Sequence, residues 1–118
     1  MTIAALRDEP FVLFPRAVGP EFYDRILSLC GTAGYQPKVS QEAVEWQTVV
    51  SLVGESLGVS VAPACMERLR WPNVVFKTLS PAGQRTQVSL CHLRANVSPL
   101  LMSFKALVRD CVSGQKTR

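Results

Sequence analysis

The chain has 118 residues, 47% of them hydrophobic, enough for one domain with a modest core. No apolar run approaches the roughly 18 residues needed to cross a bilayer, and "MTIAALRDEP" lacks the basic leader and apolar stretch of a secretory signal, so a cytoplasmic chain without membrane contact is expected. The net charge of +4 comes from cations scattered between Arg7 and Arg109, with no basic stripe and no interleaved aromatics, which argues for solvated surface rather than a nucleic-acid interface.

In chain order, "FVLF" (Phe11–Phe14) is a continuous apolar run closed by Pro15, the pattern of a strand buried on both faces. After the loop "PRAVG", Pro20 suits a first helical position, and Glu21 and Asp24 suit a positive helix start. Phe22, Ile26, Leu29, Cys30 and Ala33 then form one apolar stripe, with Gly34 as the terminating cap. "QPKVSQEA" reads as a second strand nearer an edge. A helix is predicted over 45–57, with Val49, Val50, Leu52, Val53 and Leu57 inward. Gly58 would then supply the left-handed cap before a third strand, "VSVAP".

Beyond Pro63, "ACMERL" reads as a short helical turn, and "VVFKTL" and "TQVSLCHLR" as two further strands around the turn signal "SPAGQ". Ser98 caps and Pro99 opens a last helix, in which Leu100, Leu101, Phe104, Leu107, Val108 and Cys111 recur at helical spacing. Strands alternating with helices imply an α/β fold with a mainly parallel sheet flanked by helices, plus a C-terminal amphipathic helix. Right-handed crossovers bring the carboxyl ends of the first three strands to one rim, where open α/β sheets hold ligands.

Catalytic chemistry finds little footing. There is one histidine, His92, and no nucleophile elbow, Walker loop or G-x-G-x-x-G. Glu42 and Glu45 are better read as a strand end and a helix start than as a catalytic pair. Cys30, Cys65, Cys91 and Cys111 share no C-x-x-C spacing and read as reduced, mostly buried thiols, with no metal or cofactor expected. Cys91 and His92, adjacent on an expected strand, would point to opposite faces and could not share one metal.

Binding fits the rim better. Arg16 lies in the loop before the first helix and could pair with an anionic ligand or simply be solvated. Phe22 and Trp46 could line a pocket or belong to the core. Gln47 and Thr48 could hydrogen-bond a ligand or satisfy the helix start.

The succession "DEPFVLFPR…GPEFYDRILSLCGTAGYQPKVSQEA…WQTVVSLVGESLGVSVAPACMERL" resembles LysR-type transcriptional regulators, specifically the second half of their effector-binding region. The resemblance runs from Asp8 to about Asp110, with "SLVGESLGVSVAPA" as its most diagnostic part. It implies one subdomain of a type II periplasmic-binding-protein fold. The whole chain, 1–118, would be a single partial domain: 8–97 the second subdomain with its return strand, and 98–113 a C-terminal helix that normally packs on a missing first subdomain.

By the same resemblance, the chain is a truncated effector-binding domain that senses a small molecule and mediates oligomerisation; Arg16 and the helix amino ends favour an organic anion as that molecule. It would not be an enzyme, and would reach DNA only through an N-terminal domain absent here. The matching effector-binding positions are Arg16, Pro20, Phe22, Trp46, Gln47 and Thr48. The helix Pro20–Ala33 and the strand Pro37–Glu42 resemble elements that pair subunits into a homo-oligomer. The alternative is a solute-binding-protein-like fragment with a transport or structural role. In either case the apolar stripe of the last helix is expected to pack against its own sheet or a second chain.

Overall fold

The computed structural model describes residues 1–80, 88–95 and 97–115. The chain forms two compact units, Met1–Thr86 and Gln87–Arg118. The first contains a 3-10 turn at Ile3–Leu6, strand β1 (Pro10–Leu13), helix α1 (Pro20–Thr32), strand β2 (Lys38–Glu42), helix α2 (Trp46–Gly54) and a 3-10 turn at Ala64–Leu69. The second contains helix α3 (Pro99–Gln115).

β1 and β2 pair in parallel, joined by the crossover helix α1. The apolar run does what its composition demands: Phe11, Val12, Leu13 and Phe14 are all buried. Alternation puts Phe11 and Leu13 on one face, in a cluster with Leu6 and the α1 residues Ile26 and Cys30. Val12 and the buried α2 residues Val49 and Val50 lie outside that cluster, and α2 packs on β1. The two helices therefore cover opposite faces of one strand, which explains why it needs no polar alternation. Tyr35 ties the amino-terminal turn into this core by donating its hydroxyl to the Ile3 carbonyl at 2.7 Å. Burial, with the neighbouring Cys30, pushes the Tyr35 phenol above its ordinary range, so it remains a donor.

The β1–β2 register slips by one residue between Phe11 and Val12, leaving Ser40 as an extra residue in β2. The slip is compensated locally, since the Ser40 hydroxyl donates to the Phe11 carbonyl at 3.2 Å. Lys38, Ser40, Gln41 and Glu42 are exposed, as the modest hydrophobicity of this strand predicts.

The third expected strand is reduced to a single parallel bridge between Val59 and Phe11. It is made by Val12 N–H to the Val59 carbonyl and Val59 N–H to the Pro10 carbonyl, each at 2.8 Å. Gly58 permits that approach: its φ is +154°, and a Cβ there would overlap the Pro10 carbonyl oxygen and press on Val12. The cap itself belongs to another residue. α2 ends at Gly54, and Ser56 takes the left-handed conformation at φ +64°. Leu57 N–H reaches back to the Leu52 carbonyl at 3.1 Å and Ser56 N–H to Val53 at 2.9 Å, the paired bonds of a Schellman motif. α1 ends in the same way, with Tyr35 N–H bonding Cys30 at 3.2 Å and Gly34 N–H bonding Gly31 at 3.0 Å. There the left-handed residue is the expected Gly34, at φ +76°. Because α2 stops early, Leu57 is exposed rather than inward.

The later strands are the main correction. "VVFKTL" forms no strand; beside it only Ser80 finds a partner, in a bridge to Thr2. Of "TQVSLCHLR", residues 88–94 are described and form no strand, while 86 and 87 lie outside the described residues with most of "SPAGQ". The turn at Ala64–Leu69 and the helix from Pro99 form as expected, with Leu101 N–H bonded to the Ser98 hydroxyl at 3.3 Å. In α3, Leu100, Phe104 and Leu107 of the apolar stripe are exposed. Only Cys30 among the cysteines is buried; Cys65, Cys91 and Cys111 are exposed free thiols, because they sit on the 3-10 turn, the irregular segment before α3 and α3 itself. Among the described residues, no helix is long and apolar enough to cross a membrane.

Candidate functional site

β1 lies between β2 and the segment that begins at Val59. The chain leaves β1 for one side through α1 and returns to the other through α2. In open α/β sheets such a reversal leaves a crevice beyond the strand carboxyl ends, which here means Phe14–Arg16, Ala43–Glu45 and the chain around Pro63.

At that rim three aromatic rings converge. Phe14, the residue after β1, is the hub: its ring centroid lies 5.7 Å from Phe22 and 5.2 Å from Trp46, the latter edge-on at 72°. Phe22 and Trp46 close the triangle at 5.8 Å and 85°. These are the tilted and edge-to-face arrangements that ring quadrupoles favour. Phe14 is buried, whereas Phe22 and Trp46 are half-buried, so one side of the cluster meets solvent.

The rings also join two helix starts. Phe22 is in the first turn of α1 and Trp46 is the first residue of α2. Neither N-cap, Gly19 nor Glu45, offers a side-chain hydrogen bond to its helix. The helical bonds begin at Tyr23 N–H to Gly19 and Val49 N–H to Glu45, both 3.0 Å, so earlier N–H groups, including those of Trp46, Gln47 and Thr48, have no side-chain cap. Such groups favour a negatively charged partner. Pro20, Gln47 and Thr48 are exposed on these same turns.

Arg16 differs from its simplest expectation. Its guanidinium does not stand open for a ligand but grips Asp24 with both ends of the fork, Nε to Oδ1 at 2.7 Å and Nη2 to Oδ2 at 2.6 Å. Hydrogen bonds from Arg16, reinforced by its charge, hold the Asp24 carboxyl below its ordinary range. Of the six candidates, the structure thus brings Phe22 and Trp46 into contact, sets Pro20, Gln47 and Thr48 beside them in sequence, and engages Arg16 elsewhere.

Sequence reasoning missed Phe14 and Asp24. Phe14 closes an apolar run and reads as core, which it also is; its second role needs the positions of two helices. The Arg16–Asp24 pair, eight residues apart, matches no helical or strand spacing.

Comparison with known proteins agrees with this architecture. Residues 1–112 match the family model described as the LysR substrate binding domain. The relatives include the HTH-type transcriptional regulator IlvR of Caulobacter vibrioides, 42% identical over 111 residues, covering 93% of this chain and 37% of the relative. The regulator AlsR of Bacillus subtilis is 28% identical over 88% of this chain and 34% of its own length. ClcR of Pseudomonas putida is 30% identical, covering 89% and 36%. The chain spans little more than a third of the length of these relatives.

Proposed function

From a chain that belongs to the LysR substrate-binding domain family, we propose that the rim around Phe14, Phe22 and Trp46 is one wall of an effector cleft. The parent regulator, in this reading, senses a small molecule and carries out no catalysis. The observation that carries the reading is the convergence of two side-chain-uncapped helix starts on a half-buried aromatic triangle. The rings offer an apolar surface to the body of a ligand. The first-turn N–H groups of Trp46, Gln47 and Thr48, with Pro20 shaping the start of α1, favour a carboxylate or similar anion.

The chain would be the second effector subdomain over 8–97, with 98–113 as the helix that closes onto a first subdomain, and DNA contact left to a separate N-terminal domain. The exposed α1 surface and the edge strand β2 support subunit pairing through Pro20–Ala33 and Pro37–Glu42, in the cytoplasm. In the intact regulator, ligand binding would then bias one arrangement of subunits over another.

The test is a thermal-shift screen of this chain against small organic acids and their uncharged amide analogues, followed by Trp46 fluorescence titration of any hit. A stabilising acid whose effect disappears in Phe22→Ala and Trp46→Ala is the expected result. A hit that both variants still bind would move the site elsewhere, and uncharged hits alone would remove the anion preference.

A further inference from the structure

We propose that Arg16 and Asp24 are a pair of positioning residues, a strap that holds the first turn of α1 so that Phe22 meets Phe14 and Trp46. The proposal rests on the reading of that rim as the effector wall, but concerns how the wall is shaped rather than what it binds.

Six residues, 14–19, connect β1 to α1. Besides the Phe14–Phe22 ring contact and the first helical bond from Tyr23 N–H to Gly19, three contacts fix them. Val18 N–H bonds the Pro15 carbonyl at 2.9 Å, which sets a turn within the loop. Gly19 lies so close to the Phe14 ring that a Cβ would stand 3.1 Å from its Cε2 atom, which seats the end of the loop on the aromatic cluster. The third contact is the Arg16 fork, which reaches past the α1 start to Asp24. It alone of the three ties the loop to α1 beyond its first residues.

Asp24 follows Phe22 by two positions, about 200° around a 3.6-residue helix. The fork therefore grips the side of α1 away from the one carrying the Phe22 ring, and resists rotation of that turn. A bidentate pair is suited to this role because two parallel bonds fix direction as well as distance. Its side chains are 62% and 48% exposed, so it contributes little to global stability. What it sets is orientation, at a helix start whose N-cap, Gly19, supplies no side chain.

Trp46 reports on this without any ligand. In a Trp71→Phe background, which leaves Trp46 as the single tryptophan, acrylamide quenching and emission maximum are measured for Arg16→Ala, for Asp24→Ala and for the exchanged pair Arg16→Asp/Asp24→Arg. An exposed pair biases a local equilibrium by up to about fivefold. Each single variant should accordingly raise Trp46 quenching roughly twofold, with the urea midpoint unchanged, and the exchange should restore most of it. Unchanged quenching in both single variants would overturn the proposal. So would failure of the exchange, or a fall in urea midpoint that accounts for the quenching. Should Trp71→Phe not fold, the 19F resonance of 5-fluorotryptophan at position 46, assigned through Trp46→Phe, gives the same readout in the otherwise unaltered chain. Because none of these measurements uses an effector, a chain that responds this way yet binds no organic acid would refute the cleft alone.

Discussion

The amino-terminal unit and α3 use the same kind of apolar periodicity with opposite results. α1 and α2 bury Ile26, Cys30, Val49 and Val50 around β1. α3, longer than either at 17 residues, has no buried residue among those described, and Leu100, Phe104 and Leu107 are exposed by half or more. A helical stripe records that a helix is made to be covered; it does not record by what. α1 follows β1 directly and α2 follows the strand paired with it, so short crossover connections supply the cover. For α3 the sequence-adjacent residues 88–95 are themselves exposed.

The same truncation in both units exposes that difference most sharply. Phe11→Ala should cost about 3–5 kcal/mol in urea unfolding, since the ring is fully buried, whereas Phe104→Ala should stay within roughly 0.5 kcal/mol. A large loss at Phe104 would mean that α3 is covered in solution, and sedimentation at rising concentration would then show whether a second copy covers it.

Within the amino-terminal unit, the two helix ends make a finer comparison. Gly58→Ala should destabilise by about 3 kcal/mol, because the new methyl would meet backbone at Pro10 rather than a movable side chain. Ser56→Gly should do the reverse, raising the urea midpoint by an amount equivalent to about 1 kcal/mol, since it relieves a left-handed serine in the motif that α1 completes with glycine. No gain would mean that Ser56 has a compensating interaction the left-handed turn requires.

The smallest effect is one of pH. Asp24 is held below its ordinary pKa of 3.8, so the folded state favours its charged form. The strap is intact above about pH 4 and is lost as pH falls through the depressed value. Trp46 emission should therefore be flat between about pH 5 and 8 and shift only under acid. Asp24→Asn should abolish the acid step.

These comparisons also show what a sequence of this kind discloses. "FVLF", the α1 stripe and Gly34 were legible because each encodes its own geometry: burial on both faces, period and left-handed backbone. "VVFKTL" misled because β composition needs a partner strand, and only Ser80 found one. Gly58 was noticed for the wrong reason, its constraint being the carbonyl of a residue 48 positions earlier. At the rim, Phe22 and Trp46 could be picked from topology, but Phe14 could not be separated from the core. For Arg16 the sequence suggests a ligand or solvent as partner, because the carboxylate it holds lies outside every regular spacing.

The first two residues of the unit are fastened to its far end in sequence. Thr2 bridges to Ser80, Ser80 N–H bonds the Met1 carbonyl at 2.7 Å, and the Met1 amine reaches the Thr78 carbonyl at 2.8 Å. Residues 1–2 and 78–80 are thus pinned side by side across 77 positions of sequence, which closes the amino-terminal unit on itself. Backbone groups that hold each other in this way open together, so fraying of either segment releases both.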